Sequence, residues 1–93
     1  MASNFSIHSK RRRGGLHIRL SGDFDGTSAH MLLRALGRHI ENAGMIVVDT
    51  TGLRDVFLFG CGVMQANLSS LKAPSGKVRF VGKHGAAFAP GSA

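Results

Sequence analysis

A small α/β domain is what this sequence predicts: a four-stranded mixed sheet in the order β-β-α-β-α-β, with helices mainly on one face. Three observations carry that expectation. Residues 16–20 (LHIRL) alternate apolar and polar, as a half-buried strand does. Residues 45–48 (MIVV) form a continuous apolar run closed by Asp49, as a strand buried on both faces does. Between them Ala29, Leu32, Leu33, Leu36, Ile40 and Ala43 recur at helical spacing. The chain has 93 residues, enough for one domain. Its core is expected over about residues 4–84, with 85–93 a flexible tail.

Each element follows in order. Residues 4–9 (NFSIHS) alternate, with Phe5 and Ile7 on one face, and read as a first strand. Residues 10–15 are a charged loop ending in Gly14-Gly15, short enough to make the first two strands an antiparallel hairpin. Residues 21–27 (SGDFDGT) read as a turn and helix entry, with Asp25, Thr27 or Ser28 as N-cap. The helix is expected to run to about Asn42, with Gly44 stopping it and His30, Arg34 and Arg38 as an outer basic row. After the buried strand, residues 50–55 read as a loop leading to the apolar patch 56–59. Gly60-Cys61-Gly62 then opens a second helix, with Cys61, Met64, Leu68 and Leu71 on one face and an end near Lys72. Residues 73–76 (APSG) break it, and residues 77–81 (KVRFV) alternate as a fourth strand. Strands joined through a helix are expected to be parallel, with right-handed crossovers.

Composition narrows the function classes. No apolar run approaches the roughly 20 residues of a membrane span, and the N-terminus lacks the apolar stretch of a secretion signal. The single cysteine, Cys61, excludes an internal disulfide framework, so a cytoplasmic protein is expected. The net charge of +7 points to anionic partners, nucleic acid or an anionic surface, through Lys10–Arg13, Arg34 and Arg38. A solvated hairpin loop is the simpler reading, because no aromatics are interleaved with the basic residues. No Ser/His/Asp set, ligand-spaced cluster or acid–base pair stands out, so neither an enzyme nor a cofactor is expected.

Three short stretches resemble the STAS domains of bacterial anti-sigma factor antagonists. Leu20-Ser21-Gly22-Asp23-Phe24-Asp25, with Ala29 four residues on, is similar to the family's L-x-G-[DE]-x-D-x-x-x-A. Residues 46–53 (IVVDTTGL) resemble its buried strand and following loop. Residues 57–63 (FLFGCGV) fall where the family has F-[IM]-D-S-[ST]-G-[LI]. The resemblance covers about residues 16–84 and implies a protein-binding regulator, with an anti-sigma factor that is also a serine kinase as its partner. A STAS subunit of a transport complex is a further alternative.

In the family, the Ser of the third motif is phosphorylated, and a charge of about −2 there repels the partner. Here Phe59 falls on the Asp and Gly60 on the phosphoacceptor, and no Ser or Thr lies between Thr51 and Ser69. Ser69 would sit about 13 Å along the helix from Gly60. The resemblance therefore implies a STAS-like module without the phosphorylation switch, with Gly60 at the phosphoacceptor position. Its partner-binding residues would be Asp23, Asp25, Leu53, Phe57, Phe59, Gly60, Cys61 and Gly62. The residues alone leave other roles open: a turn and cap for Asp23 and Asp25, a small buried side chain or a redox-sensitive thiol for Cys61, and core or docking patch for residues 56–59. STAS domains add a further helix after the equivalent of Phe80. The Gly/Ala-rich tail suggests a fold truncated at its C-terminus, with a sheet edge or face left for a partner or second copy to cover.

Overall fold

The computed structural model of the protein describes residues 4–42, 44–68 and 77–88. Seven elements follow one another: β1 (Ser6–Arg12), β2 (Gly15–Phe24), α1 (Gly26–His39), β3 (Ile46–Val56), α2 (Leu58–Leu68), β4 (Val78–Val81) and α3 (Gly85–Phe88). The sheet order is β1-β2-β3-β4, with β1 antiparallel to β2 and the two later pairings parallel. This is the mixed sheet the sequence predicts. The expected ends of the second helix, the breaker and Ala43 lie outside the described residues.

The hairpin is tighter than the sequence suggests. Arg12 pairs with Gly15, so the loop is only Arg13-Gly14, and Gly14 adopts φ +85. That left-handed conformation costs a glycine little. The ladder puts Leu16, Ile18 and Leu20 on one face, and each is buried. Ile46 and Val48, paired to Leu16 and Ile18, extend that face, and Leu32 and Leu36 of α1 and Met64 of α2 cover it. The helices thus share one side of the sheet.

Both central strands run further than expected. Residues 21–24 continue β2 instead of turning, and residues 50–55 belong to β3 instead of a loop. Turn-forming Gly, Asp and Ser give way here to parallel pairing up to Phe24–Val56, with register shifts between Arg19 and Ser21 and between Gly22 and Asp23. Helix α1 starts where expected, with Asp25 as N-cap: its Oδ1 accepts from the Ser28 amide at 3.0 Å. It ends at His39, three residues before Asn42, with Arg38 and His39 in its last turn.

The C-terminal segment corrects a second expectation. Residues 85–88 are a turn of helix, α3, and not a featureless tail. The reason is one aromatic residue. Phe88 is fully buried, edge-on to Phe24 at a ring distance of 4.6 Å and stacked on Phe80 at 5.5 Å. Thr50, itself fully buried, holds the connection: its Oγ1 donates to the Val81 carbonyl at 2.8 Å and accepts from the His84 amide at 3.0 Å. Residues 89–93 lie outside the described residues. Replacing Phe88 by Ala is expected to cost about 3–5 kcal/mol. Urea unfolding should show a lower midpoint at unchanged slope, and a midpoint equal to that of the parent would refute the anchoring role.

Candidate functional site

At the carboxyl ends of β2 and β3 two helices begin side by side. The Phe57 amide donates to the Phe24 carbonyl at 2.9 Å, closing the ladder between the strands. The Phe57 carbonyl then accepts from the Cys61 amide at 3.2 Å, so α2 turns immediately at Leu58. No Ser, Thr, Asp or Asn caps this start, unlike that of α1. What seats it is close packing. A Cβ on Gly60 would lie 2.7 Å from the Asp25 carbonyl oxygen, and a Cβ on Gly26 would lie 2.7 Å from Cε2 of Phe59. The first turn of α2 therefore rests directly on the backbone of the α1 cap.

That seat fixes the phase of the helix. Gly60, Cys61 and Met64 face inward, and Phe57, Leu58 and Phe59 face out, with 51%, 87% and 75% of their surface exposed. Three adjacent large apolar side chains thus form a rim at the β3–α2 junction. Phe59 lies along Gly26 while keeping most of its ring in solvent.

The sequence-derived site residues separate accordingly. Phe57 and Phe59 are exposed, as a docking role requires, and so is Gly62. Leu53 is a correction: only 4% exposed, it belongs to the core and cannot present its side chain to a partner. Cys61 is another, buried on the inner face of α2, and burial pushes its thiol pKa up, away from a reactive thiolate. Gly60 is a third. It lies in the first turn after the central strand, but a hydroxyl there would point into the Asp25 backbone. Leu58 is the first helical position open to solvent, and it too lacks a hydroxyl.

Asp23 sits within β2, not in a turn, and pairs with Arg54 as a fork: Nε to Oδ1 at 3.1 Å and Nη2 to Oδ2 at 2.9 Å. This pair holds the ends of β2 and β3 together beside the rim and keeps the Arg54 pKa raised. Asp25 caps α1, and the Ser28 amide at its carboxylate draws its pKa below the ordinary range. The Ser28 hydroxyl, itself fully buried, bonds both the Asp23 carbonyl and the Asp25 carboxylate. Leu58 and Arg54 are the site residues that sequence reasoning did not single out. Leu58 was readable only as part of the apolar run, and nothing local marks Arg54 as the partner of an Asp 31 residues earlier. Among the described residues no three His, Cys, Asp or Glu converge as metal ligands would. No helix among them is long and apolar enough to cross a membrane.

This architecture is the STAS fold, the fold of anti-sigma factor antagonists. The chain superimposes on an anti-sigma factor antagonist from Mycobacterium paratuberculosis with a TM-score of 0.69 and 16% identity, over 89% of this chain and 73% of that one. It superimposes on the anti-sigma factor antagonist SpoIIAA in its unphosphorylated form with a TM-score of 0.58 and 19% identity, over 84% and 69% of the two chains. No protein-family profile matches the sequence. No curated protein sequence matches it either.

The packing at the junction makes two glycines behave oppositely. Gly60→Ser should destabilise by about 1–3 kcal/mol through overpacking. Gly62→Ala, helical and with open space around its Cβ, should stabilise by about 0.5–1 kcal/mol. Denaturation curves of the two variants moving in the same direction would contradict this geometry. The Asp25 cap also predicts a pH dependence. Its folded pKa lies below the unfolded value, so its contribution is present above about pH 4 and is lost as pH falls through the folded pKa. Asp25→Asn keeps an oxygen for the Ser28 amide and should flatten thermal melts across that acidic window.

Proposed function

We propose that this chain is a regulatory protein-interaction module that acts as an anti-sigma factor antagonist does, without control by serine phosphorylation. Its partner is an anti-sigma factor of the serine-kinase type or a closely similar protein. The docking surface is the rim of Phe57, Leu58 and Phe59, with Gly62 and the start of α1 beside it.

One observation carries this reading: three consecutive large apolar residues, more than half exposed, sit at the start of the helix whose first turn holds Gly60, the position that the resemblance aligns with the family's phosphoacceptor. Solvent-facing aromatics in a contiguous group mark interaction surfaces, and such residues dominate binding energy. Phosphorylation would act there by adding charge to the contact surface. With Leu58 and Phe59 in place, the surface offers apolar area instead, and nothing in the first turn of α2 can be charged by a kinase.

The test is binding and labelling with a serine-kinase anti-sigma factor from the same cell. Leu58→Ser with Phe59→Ser should weaken binding by at least about 2 kcal/mol, roughly thirtyfold. With ATP present, the parent chain should remain unlabelled, and Phe57→Asp with Leu58→Ser should gain phosphate at position 58. Unchanged affinity in the first variant, or labelling of the parent chain, would overturn the proposal.

A further inference from the structure

The side of the sheet away from the helices carries a second feature, remote from the rim. Strand register places Ser6, His8, Lys10 and Arg12 of β1 on that face, opposite Ser21, Arg19, His17 and Gly15 of β2. The parallel ladders continue the rows: His17 aligns with Val47 and Arg79, and Arg19 with Asp49 and Val81. Among the described residues no helix covers this face, since Leu32 and Leu36 of α1, Met64 of α2 and Phe88 of α3 join the core on the other side.

Its charge is one-sided. Lys10, Arg12, Arg19 and Arg79 are exposed, and Asp49 is the single carboxylate among them. That carboxylate is already engaged, accepting from the Thr51 amide at 2.9 Å. Directly across the β1–β2 ladder His8 faces Arg19, and Lys10 faces His17, with no acid in either pair.

The chemistry of the face selects its occupant. Among the described residues no Phe, Tyr or Trp stands on it, so it lacks the large aromatic platform on which unpaired bases stack best. Among the described residues Met45, Val47 and Val81 are its large apolar side chains, too few to anchor a protein or to enter a lipid surface. Four strands at about 4.8 Å spacing span about 14 Å. A duplex presents about eight phosphates over that length, and about half of them face one side. Four cations match that number. We propose that this bare sheet face is an independent site that holds the phosphate backbone of a nucleic-acid duplex without reading its sequence.

The experiment measures fluorescence anisotropy of a labelled 20-base-pair DNA duplex against the full chain, from 50 to 200 mM salt. Four backbone contacts give a slope of log K against log salt of about −3.6. The variant Lys10→Ser/Arg12→Ser/Arg19→Ser should reduce that slope to about −0.9 and weaken binding at 50 mM salt at least tenfold. All three side chains are exposed, so the variant should stay folded at the assay temperature, as its thermal melt checks, and the loss is not unfolding. Arg34→Ser/Arg38→Ser, on the exposed side of α1, and Phe59→Ser, on the rim, should bind the duplex as the parent does. The proposal is overturned if the duplex does not bind at 50 mM salt, or if the triple variant binds it as well as the parent. It is also overturned if poly-glutamate, phosphatidylserine vesicles or single-stranded DNA are held as tightly, or if the α1 or rim variants lose the duplex.

Discussion

The contact between Gly60 and the backbone of Asp25 is the constraint on which the functional end of the molecule depends. With no side chain at position 60, the first turn of α2 settles onto the cap of α1. That settles which side chains of α2 enter the core and which are pushed into solvent. Cys61 and Met64 enter, and Leu58 and Phe59 cannot follow. The outward apolar rim is thus a by-product of how tightly two helix starts can meet. The same contact makes the Asp25 cap a shared element, since its side chain serves α1 while its carbonyl forms the floor under α2.

The surroundings of this contact are braced from the sheet side. The Asp23–Arg54 fork ties β2 to β3 just before both strands give way to helices. Ser28 ties the same corner from within by bonding backbone and carboxylate together. Further along β3, Thr50 fastens the exit of β4, and Phe88 closes the core beneath it. A short domain without Trp or Tyr therefore relies on polar fastenings at strand ends and on one aromatic cluster, Phe24, Phe80 and Phe88.

Much of this was legible before any coordinates. The period of two at Leu16, Ile18 and Leu20 and the helical stripe through Leu32 and Leu36 mark the inward face of β2 and the buried side of α1. What was not legible has a common cause: local preference overruled by neighbours far along the chain. Ser21, Gly22 and Asp23 favour turns, yet pairing with β3 stretches them into strand, and the register shifts absorb the misfit. Gly85 to Phe88 looked empty because Phe88 is a lone apolar residue whose partners lie on β2 and β4. The site divides the same way. Composition exposed the apolar run, but its facing depends on where α2 begins, and no cap residue announced that start. Hence Phe57 and Phe59 lie in solvent, whereas Gly60, Cys61 and Leu53 are buried away from that surface.

The outermost strand has a consequence for how copies of this chain meet. β1 forms the border of the sheet, and Lys10, Arg11 and Arg12 stand in a row along it. The opposite border, β4, is only four residues long and runs at once into Gly82, whose φ of +95 bends the chain away. Open borders invite strangers to zip on, and concentrated positive charge on one and brevity on the other are two ways of refusing them. Ribbon-like growth from molecule to molecule is thereby disfavoured at both borders of the sheet.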